Sequence, residues 1–142
     1  MIEHPFHVMI VVQQPIFRQG ILAILKQVTE CEVLERQPNT ISEALELARE
    51  QEPEVALLDT LCASLDALER ARRMRTSSPK TAVLMLSGLE GEEWLFQAIK
   101  GGVAAYCTRN VAPAKLVEIL QKVSQGEYVL NDDVLSQTHL VS

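Results

Sequence analysis

The chain is poor in several things, and each shortage removes a class of function. Aromatic residues make up only 4 % of its 142 residues, so any core must be aliphatic. Basic residues are outnumbered: 13 Lys and Arg against 19 Asp and Glu give a formal charge of -6. Gripping a nucleic-acid backbone takes a basic surface, so this chain is not expected to bind DNA by itself. No apolar run approaches the roughly 18 residues that a membrane span requires. Met1 to His7 lacks a basic stretch followed by a long apolar one, so no signal peptide is expected. The three cysteines, Cys31, Cys62 and Cys107, form no C-x-x-C pair, which argues against a zinc site or a disulfide framework and for a reducing, cytoplasmic setting. The histidines His4, His7 and His139 lie near the ends without ligand spacing, and no chemistry is assigned to them.

What is present is globular. Hydrophobic residues reach 47 % and charged residues 23 %, enough for one ordinary domain with a packed core. The organising stretch is Val55-Ala56-Leu57-Leu58-Asp59, an unbroken apolar run ending in a carboxylate. Such a run reads as a strand buried on both faces, the habit of a parallel sheet. Val8 to Val12 and Ala82 to Leu86 read the same way; Glu32 to Glu35 reads as a short edge strand and Ala104 to Cys107 as a short fifth strand.

Helical spacing fills the intervals. Pro15 suits a helix start, followed by Ile16, Phe17, Gly20, Ile21, Ile24, Leu25 and Val28. Thr40 with Glu43 forms a capping box ahead of Ile41, Ala44, Leu45, Leu47 and Ala48. A third helix carries Leu65, Leu68, Ala71 and Met74, and a fourth carries Trp94, Leu95, Ala98 and Ile99. The last opens at Pro113 and closes at Gly126. Strand and helix alternate with short connections, which demands a parallel sheet with helices on both faces. The expected fold is α/β: a single, doubly wound, five-stranded parallel sheet in the flavodoxin-like order 2-1-3-4-5. Residues 1–126 are expected to form this domain and residues 127–142 to begin a linker.

In this strand order, ligands bind beyond the carboxyl ends of the strands, where the first and third lie side by side. Gln13, Gln14, Asp59 and Ser87 converge there, with Arg109 just past the fifth strand. Other polar groups read as structural. Arg70, Arg72, Arg73 and Arg75 mark a solvated helix face, and Glu90, Glu92 and Glu93 suit a helix N-terminus.

The order and spacing of these segments resemble the receiver domain of two-component response regulators, of the class that precedes a LuxR-type helix-turn-helix. The resemblance covers about residues 7 to 135. It is carried by Val11 to Gly20, Ala56 to Asp59, Leu84 to Ser87, Ala98 to Tyr106 and Gln125 to Leu130. It implies a phospho-acceptor position at Asp59 and switch positions at Ser87, Tyr106 and Arg109. The family holds Mg²⁺ with two acidic residues after the first strand, and those positions here are Gln13 and Gln14. The family's lysine is replaced by Arg109, and Leu61 to Ser64 lacks its usual proline and glycine.

Mg²⁺ wants charged oxygen ligands. One carboxylate at about 4 Å from a divalent cation is worth roughly 8 kcal/mol gross at an effective dielectric near 20. The expectation is therefore a degenerate receiver, or pseudo-receiver, with weak or absent Mg²⁺ binding, no bound cofactor and no enzymatic activity. Asp59 would lose its like-charge neighbours and pair with Arg109. Such a module would act as a homodimer or relay a signal from a histidine kinase or another signalling protein. It would touch DNA only through a C-terminal effector domain beyond residue 142. The alternative is a working receiver in which a histidine kinase phosphorylates Asp59. A flavin carrier is disfavoured, because Gln13 to Phe17 has no hydroxyl- and glycine-rich phosphate loop.

Overall fold

In the computed structural model, residues 5–60, 65–87, 100–130 and 133–135 are described. The strands are β1 (Phe6–Val11), β2 (Cys31–Val33), β3 (Val55–Thr60), β4 (Ala82–Ser87), β5 (Ala105–Thr108), β6 (Tyr128–Leu130) and β7 (Asp133–Leu135). The described helices are α1 (Pro15–Leu25), α2 (Ile41–Gln51), α3 (Leu65–Ser77) and α4 (Pro113–Ser124). The sheet order is β2-β1-β3-β4-β5-β6-β7. All neighbours are parallel except β6 and β7.

The first five strands follow the expected 2-1-3-4-5 order, but the sheet does not stop at five. Tyr128–Leu130 lies parallel to β5, pairing Ala105 with Val129, and Asp133–Leu135 folds back on it. The expectation that everything from residue 127 onward is linker is therefore corrected. Val129, at 2 % exposure, completes the apolar layer that Ala105 and Cys107 begin, which a solvated linker would leave open.

Side chains alternate between two apolar layers, as the pleat requires. Val8, Ile10, Val55, Leu57, Leu84, Leu86, Ala105 and Cys107 pack against α1 and α4. Met9, Ala56, Leu58, Val83, Met85 and Tyr106 pack against α2 and α3. Central strands with helices on both faces have no solvent side, which is why their sequences are continuous apolar runs.

The helix ends follow their local chemistry. Thr40 Oγ1 accepts from Glu43 N at 3.1 Å, while the Glu43 carboxylate accepts from Asn39 N at 2.9 Å, one residue before the N-cap expected for a capping box. Gly126 closes α4 at φ +91°, in the left-handed region that glycine enters without strain. At the amino end of the sheet, Thr81 Oγ1 donates to Pro53 O at 2.7 Å and lies 2.6 Å from Ser78 Oγ. Each hydroxyl has one proton. With the Thr81 proton on Pro53, the Ser78 proton serves Thr81, and this buried pair ties the end of α3 to the entry of β3.

The fourth expected helix, around Trp94, lies outside the described residues. So do Cys62, the Leu61 to Ser64 loop, Glu90, Glu92 and Glu93, His4 and His139.

Candidate functional site

Asp59 sits one residue from the carboxyl end of β3, in register with Leu86 of β4. By alternation its side chain belongs to the layer of Leu57 and Leu86, on the α1 and α4 side. It is only 4 % exposed. Arg109 directly follows β5, in a turn where Thr108 Oγ1 donates to Asn110 Oδ1 and Val111 N bonds to Thr108 O at 3.2 Å. That turn directs Arg109 across the ends of the strands toward Asp59. Arg109 Nε lies 3.0 Å from Asp59 Oδ1. The N–H is not aimed at the oxygen, and neither atom has an aligned hydrogen-bond partner. The contact is therefore chiefly Coulombic.

Two residues at the start of α1 hold the guanidinium. Gln14 occupies the N-cap of α1 but makes no side-chain cap bond. Its amide oxygen instead accepts from Arg109 Nη2. One turn into the helix, the Phe17 ring lies 4.3 Å from Arg109 Cζ, in cation–π range. Arg109, 22 % exposed, thus bridges β3, β5 and α1. Burial pushes the Asp59 carboxyl above its ordinary range, and the positive charge of Arg109 pulls in the opposite direction.

Arg109, Gln14 and Asp59 are brought together; Gln13 is exposed beside them. Ser87 ends β4, in register with Thr60 on one side and Thr108 on the other. Tyr106 lies one step down β5, buried at 6 % exposure on the opposite face of the sheet, in the layer with Met85 and Met74.

The donor set does not fit a hard divalent cation. Gln13 and Gln14 supply neutral amides, and Asp59, the one carboxylate of this group, already faces a guanidinium. Among the described residues no group of three or more His, Cys, Asp and Glu side chains could hold a metal ion. Magnesium needs several oxygen ligands in near-octahedral array, with anionic charge among them.

Sequence reasoning missed two things. Phe17 reads as a core residue by helical spacing, and nothing in its neighbours indicates that its ring would lie against a residue 92 positions away. His7, assigned no chemistry, pairs with Glu54 at 3.2 Å and with Glu32 at 3.5 Å, at the opposite end of the sheet. Of the α3 arginines, Arg72 and Arg73 are exposed and Arg70 and Arg75 half-buried, with Arg72 paired to Glu69 at 3.1 Å. Cys31 is half-buried, and burial first, then the charge of Glu30, pushes its thiol up to about 11, which leaves it unreactive near neutrality.

Comparison with known proteins identifies the family and the fold. The chain is 27 % identical over 135 residues to the response regulator GacA of Pseudomonas syringae, covering 95 % of this chain and 63 % of that protein. It is 27 % identical over 118 residues to the response regulator protein VraR of Staphylococcus aureus, covering 83 % of this chain and 56 % of that protein. It therefore spans between about half and two thirds of the length of these relatives. The solved receiver domain of the putative response regulator NarL from Mycobacterium tuberculosis shares the fold, with a TM-score of 0.77 at 24 % identity, covering 87 % of this chain and 98 % of that one. The family described as "Response regulator receiver domain" matches residues 8–121, and on that match the chain belongs to the response regulator receiver domain family.

Proposed function

We propose that this chain is an atypical receiver: a signalling and dimerisation module that works without ordinary Mg²⁺-dependent phosphorylation of Asp59. The observation that supports this most is the position of Arg109. A receiver brings a metal and a phosphoryl group to its aspartate, and phosphoryl transfer depends on that positioning and charge neutralisation. Here a tethered guanidinium stands 3.0 Å from the Asp59 carboxylate and is itself held by Gln14 and Phe17. Two of those three groups come from the segment where the family keeps its metal ligands.

On this reading Arg109 neutralises Asp59 permanently and holds the switch in one state. Ser87 and Tyr106 occupy the switch positions, and Tyr106 is in its buried arrangement. The signal would arrive by protein contact, from a histidine kinase or another signalling protein. The output would be a homodimer that controls a transcriptional effector lying beyond this chain, with any DNA contact made there. The module would operate in the cytoplasm; no described helix is long and apolar enough to cross a membrane.

Magnesium affinity tests the reading. Titration of the purified chain by calorimetry should show no Mg²⁺ site of millimolar or tighter affinity. A site of that strength at Asp59 would favour a working phospho-receiver.

A further inference from the structure

The amino end of the sheet, opposite Asp59, holds a cleft of about 200 Å³. Pockets for drug-sized ligands run to about 300–1,000 Å³, so this one suits a small metabolite. Its apolar floor is Ala82 at the start of β4, Ala104 just before β5 and Val123 in the last turn of α4.

Among the described residues, the charged side chains that line the cleft are Glu54, Arg75, Lys80 and Glu127. Two of them are engaged elsewhere. Glu54 accepts from His7 N at 2.6 Å and faces the His7 ring at 3.2 Å, and Lys80 lies 3.7 Å from Glu52. Arg75 and Glu127 are half-buried and form no ion pair with each other or with another described residue. Opposite charges that line one cleft without meeting leave a gap, and a ligand carrying both signs closes it.

The surroundings sort the two signs. Gly102 has φ +83°, and a Cβ built there would lie 3.3 Å from Arg75 Nε. The arginine therefore lies against this turn, which leaves it less side-chain freedom to lose on binding. On the other side, Glu127 follows the C-terminal end of α4, where the helix dipole is negative. Tyr128 adds a hydroxyl to the lining.

We infer that this cleft binds a small zwitterion of the α-amino-acid class, its carboxylate on Arg75 and its ammonium on Glu127. A guanidinium offers the planar fork that a carboxylate matches. An ammonium has three donors to share between the Glu127 carboxylate and the end of α4. The floor receives a short aliphatic side chain. Such a ligand joins α3 to the residue that enters β6, where Val129 N bonds to Ala104 O at 2.9 Å. Occupancy therefore steadies the pairing of β6 with β5, the strand that leads to Arg109. The inference stands apart from the reading of Asp59 and needs no phosphate chemistry there.

Calorimetry on the full chain tests the site, with glycine, L-alanine, L-valine and L-leucine as probes. At least one should bind with a dissociation constant of about 1 mM or tighter. Propionate and propylamine, which carry one charge each, and inorganic phosphate should bind about tenfold more weakly or worse. Arg75→Met and Glu127→Gln, checked for unchanged circular dichroism, should each weaken binding by about tenfold or more, because each removes a charge-assisted bond. Arg72→Met, on the exposed side of α3, should leave it unchanged. The bound probe should slow hydrogen exchange at the Val129 amide, and unchanged exchange would overturn the coupling to β6. The site itself is overturned if none of these amino acids binds, if a singly charged probe or phosphate binds as tightly, or if binding survives both substitutions.

Discussion

Removing either member of the Asp59–Arg109 pair should have unequal consequences. Two unit charges 3.0 Å apart attract by about 5.5 kcal/mol gross at an effective dielectric near 20. Desolvation of a carboxylate that is 4 % exposed opposes most of this, and the 22 % exposure of Arg109 lets water screen part of the remainder. Arg109→Leu keeps an apolar contact with Phe17 but strands a buried carboxylate. We expect a loss of about 2 kcal/mol at pH 7, or roughly 6 °C in Tm for a domain of this size. Asp59→Asn removes the buried charge, while Arg109 retains Gln14, Phe17 and partial hydration. It should be neutral or stabilising at pH 7.

The pH dependence carries the same sign. The folded pKa of Asp59 is raised, so the folded state prefers the protonated acid. The resulting contribution to stability is present at low pH and falls as pH rises from the ordinary aspartate value of about 3.9 through the raised folded value. Arg109→Leu removes the opposing charge and extends that window upward. The gap between wild type and Arg109→Leu should therefore be small at pH 4 and large at pH 7 in thermal melts. A gap equal at both pH values, or an Asp59→Asn variant that loses more than Arg109→Leu at pH 7, would refute the reasoning.

Three further outcomes follow from other parts of the molecule. The double substitution Gln13→Asp with Gln14→Asp, combined with Arg109→Lys, should create a measurable Mg²⁺ site by calorimetry, since it restores anionic oxygen ligands and frees Asp59. Thr81→Val should lower stability by about 1–3 kcal/mol in denaturant melts, because it leaves Pro53 O without its donor and Ser78 with only its longer bond to Ala48 O at 3.3 Å. The exposed control Thr76→Val should change it by less than about 0.5 kcal/mol. Gly20→Ala should raise monomer stability by about 0.5–1 kcal/mol at low concentration, because position 20 is open helix surface.

The two-layer sheet is legible in the sequence because each central strand is an apolar run with both faces covered. Val8 to Val11 and Val55 to Leu58 carry that signal without help from the rest of the chain. Tyr128–Leu130 does not: a three-residue strand beside a glycine has too few side chains to show a period, and only its pairing with Ala105 and Tyr106 makes it a strand. Asp59, Gln14 and Arg109 can be named as a group from strand order alone. The cation–π contact of Phe17 cannot, because it depends on how the first turn of α1 meets the turn after β5. The exchange of cap for clamp at Gln14 is equally hidden: a glutamine at an N-cap reads as a poor cap and gives no sign of its distant partner.

The most direct measurement is labelling of Asp59. The chain is incubated with an isotope-labelled small-molecule phosphodonor and Mg²⁺, and the acid-stable, base-labile acyl phosphate is followed over time. The account predicts little or no labelling of the wild type, and labelling that appears when Gln13 and Gln14 are replaced by aspartate and Arg109 by lysine. Rapid, stable labelling of wild-type Asp59 would contradict it.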